Sequence, residues 1–511
     1  MIAFEEDSVV GEVASSQDRS PHTFGCVVAH RARLWSLFLA VYAVHNSLSQ
    51  VEWWGRLPHT YLGATAYLKT LCALWVLVRP ASAVATVALV VAWLLHLLGC
   101  YPNTNNHGFV TTVLLAAYLG AWALQRRRAG LSVGRRSELS LRVFAPVATL
   151  TLVALYCNVV WHKLNSDFFA PGTSCAWQMY LDTAGFLPGD LLPTTPALAP
   201  LLIPAVLAAE ALIPLLIIVP ATRFVGIVVG VVFHATLAMH PVVHIEDFSL
   251  FIYSCYMLCL PGGDVQRIGE RFGPLLYGTS VAGRRWRLVA GLMPAVLAAA
   301  VLALDGGGLL EPKTVVFSVA RAMYWLVFLI LLWLLLASRL PSGVAGHARL
   351  AVAAGRARLR DLRPVLHPVL LAPLYVASLG ILPYLGLSTE NVLGMFSNIR
   401  YEMEPNHFVL QDQLKIFPYQ ERWLALVETN QPELQQHVGQ HRPLVGWRRI
   451  LAAYPEQTLQ VAFSSEDGVE RCARATDADH EVFAPLNLLE RLLHFRELSI
   501  QSMRGPMRCR H

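Results

Sequence analysis

About eleven apolar stretches, each roughly 17–25 residues long, set the limits on what this chain can become. They are Leu34–Gln50, Thr60–Val78, Ala83–Gly99, Phe109–Leu124, Val143–Trp161, Leu198–Val219, Phe224–His240, Phe248–Leu260, Leu288–Leu304, Val316–Leu336 and Val365–Leu382. Segments of that length cross a bilayer as helices, because a helix satisfies its own backbone polar groups where no water can. The first, eighth and last are the weakest, being short or interrupted by polar residues and proline. Of the 511 residues, 55% are hydrophobic and 14% charged. Soluble domains carry about 25% charged residues, so lipid must solvate most of this chain. The expected fold is an α-helical polytopic membrane protein of about 11 transmembrane helices with a small C-terminal α+β domain.

Arginine placement orients the expected spans. One loop holds Arg126, Arg127, Arg128, Arg135, Arg136 and Arg142; a second holds Arg267, Arg271, Arg284, Arg285 and Arg287; a third holds Arg339, Arg349, Arg356, Arg358, Arg360 and Arg363. All three fall on one side, which the positive-inside rule makes cytoplasmic. Residues 1–33, with Glu5, Glu6 and Asp7 and no apolar core, then read as a cytoplasmic tail without a cleavable leader. Residues 34–386 form the membrane domain, and 387–511 a soluble extracytoplasmic domain. The net charge of +6 resides largely in these loops, so it reports topology and argues against a nucleic-acid partner.

On this topology, residues remote in sequence share one shallow layer at the outer surface. Asn106-His107 opens one helix and His162-Lys163 closes the next, while His234 lies about two turns below, on the helical rise. An amine deprived of water at a helix mouth is easier to hold in its neutral form, which is a general base. The plainer reading of Lys163 is a snorkelling anchor. For His107 it is a helix-start loop residue. Glu210, in the middle of Leu198–Val219, must be protonated or paired. Lys69, also deep in an apolar run, is its expected partner, as structural glue or as a proton relay to the outer layer.

Three motifs, in order, are Asn103-Thr104-Asn105-Asn106-His107, then Trp161-His162-Lys163-Leu164-Asn165-Ser166-Asp167-Phe168, then Phe233-His234 with Phe248-Ser249-Leu250. Together they resemble the membrane domain of the vitamin K-dependent gamma-glutamyl carboxylases, within the wider HTTM (horizontally transferred transmembrane) family. The resemblance covers roughly Ala32 to Leu260, with the Leu382-Pro383-Tyr384 turn similar to the exit of the last carboxylase helix. Met395-Phe396-Ser397-Asn398-Ile399-Arg400 is similar to fragments that end bacterial chains of this kind. The resemblance implies a lysine base acting on a reduced, lipid-borne naphthoquinone. Oxygen then converts the quinone into a base strong enough to take a proton from the gamma carbon of a glutamate, carbon dioxide adds, and the quinone leaves as its epoxide. In those terms Lys163 is the base, and His107 and His234 shape the site. Asn106, His162, Asn165 and Asp167 border the pocket. The implied partners are membrane lipid, a lipid quinone and a peptide or protein acceptor, with O2 and CO2 as co-substrates. Where the family carries paired lysines, this chain reads His162-Lys163. Its region after the last span is also too short to match the large lumenal part of the carboxylase.

A second function class is a non-catalytic membrane carrier or assembly protein on the same fold. No histidine or cysteine spacing reads as a metal site. Of the nine cysteines, Cys100, Cys175, Cys472 and Cys509 are expected outside, where a disulfide is permitted; Cys100–Cys175 is one such pairing. In the C-terminal region, Asn398–Tyr401 and His407–Leu410 read as short strands, and Gln420–Val438 and Trp447–Ala453 as helices. Leu459–Phe463 and Glu470–Ala475 read as a hairpin around Asp467-Gly468. A last helix follows Pro485, with Leu488, Leu489, Leu492 and Leu493 on one face.

Overall fold

The computed structural model describes residues 21–49, 61–100, 105–125, 130–187, 191–241, 245–278, scattered positions from 280 to 296, 312–340, 368–402, 405–410, 414–454, 458–465, 468–499, 507 and 509. The expected span Leu288–Leu304 lies almost wholly outside them, as do residues 1–20, Asp467, Arg126, Arg127, Arg128 and the arginines from 349 to 363.

Among the described residues, seven helices are long and apolar enough to cross a membrane, or eight if one bent pair counts as a single span. They come from α1 (Pro21–Ser49), α2 (Tyr61–Val78), α3 (Ala83–Cys100), α4 (Asn106–Gln125) and α5 (Val133–His162). After the short α6 (Ser166–Phe169) and α7 (Cys175–Phe186) come α8 (Ala199–Ile218), α9 (Arg223–Leu237), α10 (Glu246–Cys259), α11 (Gly262–Tyr277), α12 (Pro312–Arg339) and α13 (Leu371–Leu379). Several elements differ from the expected spans for local reasons. Helix α5 starts ten residues before Val143 because the Ser132 side chain caps it, accepting from Arg135 N at 3.3 Å. Helix α9 stops at Leu237, short of the His240-Pro241 pair. Helix α10 ends before Pro261, where the chain bends by 103° into α11. Helix α13 has only nine residues.

All fourteen residues of α10 are buried, its Glu246, Asp247, Ser249 and Ser254 included. It packs against α1, α5 and α9, so its acidic start and its tyrosines lie inside the bundle. By contrast, α3 and α8 leave Val84, Leu95, Leu98, Leu201, Leu215 and Ile218 exposed, the apolar surface that lipid would cover.

The C-terminal region is built on a five-stranded antiparallel sheet in the order β4-β3-β1-β2-β5. Its strands are β1 (Trp423–Thr429), β2 (Gln440–Pro443), β3 (Gln460–Ser465), β4 (Gly468–Ala473) and β5 (Leu498–Ser499), with α14 (Leu444–Leu451) across one face. Trp447 of α14 is fully buried on Phe463, Leu426 and Val461, and its indole donates to Leu424 O at 2.7 Å. The expected β3–β4 hairpin and the α14 helix are present. The helix expected over Gln420–Val438 is instead β1 followed by a 3-10 turn at Pro432–His437, since Pro432 cannot continue a helix. The helix expected after Pro485 is a single 3-10 turn, Glu490–Leu492. Leu488 and Leu492 stay exposed there, while the backbone of Leu493–Arg496 runs out to bond Ser388, Thr389 and Glu390.

Neither expected short strand forms. Asn398 has φ +54°, which a strand excludes. His407 turns its Nδ1 back to accept from Val409 N and Leu410 N, leaving one isolated bridge between His407 and Asn165.

Candidate functional site

Lys163 caps the C-terminus of α5, and its amine turns inward against α8. There Nζ donates to both oxygens of Glu210, at 2.5 and 2.6 Å. Lys163 is 3% exposed and Glu210 5%, so this is a buried ion pair and not a snorkelling anchor. The Phe168 ring lies 5.9 Å from the ammonium, held there by α6, whose N-cap is Asn165. Pro214, four residues after Glu210, has no N–H to give the Glu210 carbonyl, so the α8 ladder is interrupted at the carboxylate. The expected Glu210–Lys69 pair is therefore corrected. Lys69 donates to Asn46 Oδ1 at 2.7 Å and lies 5.6 Å from the Trp93 ring. Burial depth placed both charges in the membrane but could not say which way around its helix each one faces.

His234 lies within electrostatic reach of Lys163 and contacts the Tyr156 hydroxyl through Nε2 at 2.7 Å. Tyr156, two turns before Lys163 on α5, also meets the Tyr256 hydroxyl at 2.7 Å. That approach requires Gly230: a Cβ there would come within 1.9 Å of the Tyr256 oxygen. A second tyrosine pair, Tyr253 and Tyr324, is joined at 2.8 Å and anchored on the carbonyls of Val231 and His234. His234, Tyr156 and Tyr256 thus form a buried hydrogen-bonded chain, with the Lys163–Glu210 pair two turns further along α5 from Tyr156. Within that chain a proton can pass between neighbours with little movement of heavy atoms.

His107 is not in that group. Its ring is 6.0 Å from Phe248, and Phe248 is 5.3 Å from the His234 ring, so an aromatic ring separates the two imidazoles. The charge that acts on His107 is Asp247. Asp247 is held by His45 Nδ1 at 2.6 Å, Asn46 Nδ2 at 3.0 Å and Ser49 Oγ at 2.6 Å. Beside them a small cavity is lined by His45, Ser49, Asp247, Phe317 and the Glu246–Arg321 ion pair. Sequence reasoning missed this second cluster. Its signal was the polar run His45-Asn46-Ser47 that weakened the first expected span.

Four residues expected to border a pocket act here as fasteners. Asn106 Oδ1 accepts from Leu393 N at 3.1 Å. His162 is fully buried, with Nε2 2.9 Å from Val392 O and Nδ1 meeting the Tyr384 and Tyr401 hydroxyls at 3.2 and 3.0 Å. Asn165 donates to Ser397 O at 2.6 Å and accepts from Phe168 N at 2.9 Å. Asp167 accepts from Asn406 Nδ2 and Met507 N, both at 2.8 Å. The segment they grip contains four non-glycine residues with positive φ: Asn391, Leu393, Phe396 and Asn398. Such conformations cost roughly 1–3 kcal/mol each and persist where surrounding contacts impose them. Contacts onto that segment come from Asn106, His162 and Asn165, and from Thr173, Cys175 and Met507 to Asn398.

Cys175 is disulfide-bonded to Cys509, while Cys100 is free, which corrects the Cys100–Cys175 pairing. Cys100 lies by His96, at 3.8 Å. Next to the disulfide, Asn398 Nδ2 donates to Met507 O at 2.8 Å and Asn398 Oδ1 accepts from Cys175 N at 2.7 Å. Cys509→Ser is expected to remove the 175–509 cross-linked peptide from a mass-spectrometric digest and to cost about 2–5 kcal/mol. The loss should appear as faster proteolysis of the C-terminal tail.

Comparison of the chain with family models, characterised proteins and solved structures returns no match.

Proposed function

We propose that the chain is a vitamin K-dependent carboxylase-like membrane enzyme, with Lys163 as general base toward a reduced lipid naphthoquinone. The observation that carries this reading is the bidentate Lys163–Glu210 pair, 3% and 5% exposed, beside Tyr156 and His234. Glu210 holds the amine in place and can accept its proton, leaving a neutral amine aimed from the end of α5. Tyr156, two turns back along α5, and its hydrogen-bonded partner His234 add a second acid–base pair to the region. The residues fit a quinol in kind. His107 Nε2 and His234 Nδ1 are buried without a partner among the described residues, on either side of Phe248; an imidazole and a phenolic hydroxyl complement each other as hydrogen-bonding groups. When bound, the reduced quinone would supply the reaction with O2 from which a strong base arises, for CO2 addition to an acceptor. On this reading the enzyme resides in a cell membrane, with its N-terminus cytoplasmic and its C-terminal domain outside, covering the site and facing a peptide or protein acceptor.

The test is oxygen uptake by the purified protein with phylloquinol or menaquinol in lipid nanodiscs. The parent should consume oxygen with epoxide formation, and Lys163→Ala should be slower by at least about 100-fold, the lower range for loss of a general base. Parent protein without quinol-dependent uptake, or Lys163→Ala as fast as the parent, would overturn the proposal. The second reading is a non-catalytic carrier or assembly protein. It is favoured by the way His162, Asn165 and Asp167 direct their side-chain bonds to other parts of the chain. That reading expects no uptake in any variant.

A further inference from the structure

Strand β4 is an edge of the C-terminal sheet. Glu470 and Cys472 are two residues apart on it, so they project from the same face. Their register partners on β3 are Phe463 and Val461, both core-facing. After β4 the chain reverses: Asp477 N donates to Ala473 O, and Ala473 N donates to the Asp477 carboxylate, both at 2.8 Å. The turn carries His480 back over the strand. His480 Nδ1 accepts from Val482 N at 3.3 Å, and Nε2 meets Glu470 Oε1 at 2.9 Å. A carboxylate oxygen of Glu470, the Cys472 sulfur and a ring nitrogen of His480 consequently lie within 4.8 Å of one another.

We propose that Glu470, Cys472 and His480 form a binding site for zinc(II) or a similarly borderline-soft divalent ion. One oxygen, one sulfur and one imidazole nitrogen make a donor set that zinc accepts, whereas calcium and magnesium select oxygen alone. A buried thiol beside a hydrogen-bonded Glu–His pair is the plainer description of the same atoms. The geometry favours the metal: three different donor atoms already lie within 4.8 Å of one another. The nearby Arg474 is engaged elsewhere, over the Phe483 ring at 4.6 Å. His480 Nδ1 now accepts from Val482 N, so ligation through Nε2 would use the other tautomer, the metal replacing the Nε2 contact to Glu470 and releasing Nδ1 from Val482. The exposed Glu470 and the half-buried His480 have room to close on an ion at roughly 2.0–2.2 Å. Three protein donors leave a fourth position to water, so the ion would be exchangeable and accessible from the surface.

The experiment uses full-length protein in detergent, loaded with Zn2+ or Co2+ and desalted. One equivalent of zinc should be retained. The cobalt adduct should show thiolate-to-cobalt charge transfer in its absorption spectrum, absent from Cys472→Ser. His480→Ala and Glu470→Gln should keep the elution profile of the parent and weaken zinc binding by at least tenfold. Sub-stoichiometric zinc, a cobalt spectrum without the thiolate band, or parental affinity in both His480→Ala and Glu470→Gln would each overturn the assignment.

Discussion

Replacing Glu210 alone with leucine is expected to destabilise the protein by about 3–5 kcal/mol, because it strands the Lys163 ammonium in a dry interior. Replacing both, as Lys163→Met with Glu210→Leu, should restore parental stability or exceed it by about 1–4 kcal/mol, as apolar substitutes for buried ion pairs commonly do. The logic is the desolvation cost of the two ions, which their mutual attraction only partly offsets. Both groups are under 6% exposed, so water does little to soften either term. Thermal unfolding in detergent, followed by tryptophan fluorescence, gives the comparison. On the proposed function the double variant should be folded and without quinol-dependent oxygen uptake, which separates a pair kept for chemistry from one kept for stability. Equal destabilisation of single and double variants would show that the two residues do not act as a coupled unit.

The second large effect concerns the joint between the C-terminal domain and the segment over the membrane motifs. Glu402 is fully buried and receives Arg496 at both oxygens, Nε to Oε1 at 2.9 Å and Nη2 to Oε2 at 2.7 Å. Arg496 also donates to Ile399 O at 2.8 Å and lies over the Tyr401 ring. Burial alone would raise the Glu402 carboxyl, but the Arg496 guanidinium outweighs it and holds the group below its ordinary value. Glu402→Gln should therefore cost about 3–5 kcal/mol at neutral pH by leaving the guanidinium without its counter-charge. The sign with pH follows from the depressed value. The folded protein binds the proton less readily than the unfolded chain, so the stabilisation is complete above the ordinary glutamate value of about 4.3 and drains away as pH falls below it. The difference in unfolding midpoint between parent and Glu402→Gln should shrink on acidification from pH 5. A difference that stays constant across that range would remove Glu402 ionisation as its origin.

Much of the membrane domain was legible because its signal is length. Apolar runs such as Thr60–Val78 and Ala83–Gly99 match α2 and α3 to within about a residue. The short helices α9 and α13 fall below the length of a full span, and α10 reaches it only together with α11 across a 103° bend. For the candidate site, sequence placed Lys163 and His234 in one outer layer but set Glu210 mid-span and paired it with the wrong lysine. Pairing depends on rotation about a helix axis, which hydropathy does not encode where a helix is apolar all round. His107 was grouped by membrane depth, yet Phe248 stands between it and His234. The C-terminal elements were read least well where side chains override backbone preference. Asn398 takes a left-handed conformation so that its amide can reach Thr173 O and Met507 O. Leu488 and Leu492 have helical spacing but stay exposed.

The Cys175–Cys509 link spans 334 positions, and that sets a schedule for biosynthesis. Membrane helices are delivered to the bilayer in sequence order, so α5, α6 and α7 wait through the synthesis of everything that follows. During that interval Asp167 and Cys175 lack the residues that will later engage them, Met507 and Cys509. Long-range contacts of this kind are closed last, because the intervening chain must first give up its freedom. The region around Lys163 is thus finished only by the tail, and a nascent chain stalled before residue 507 would carry Lys163 without that final clasp.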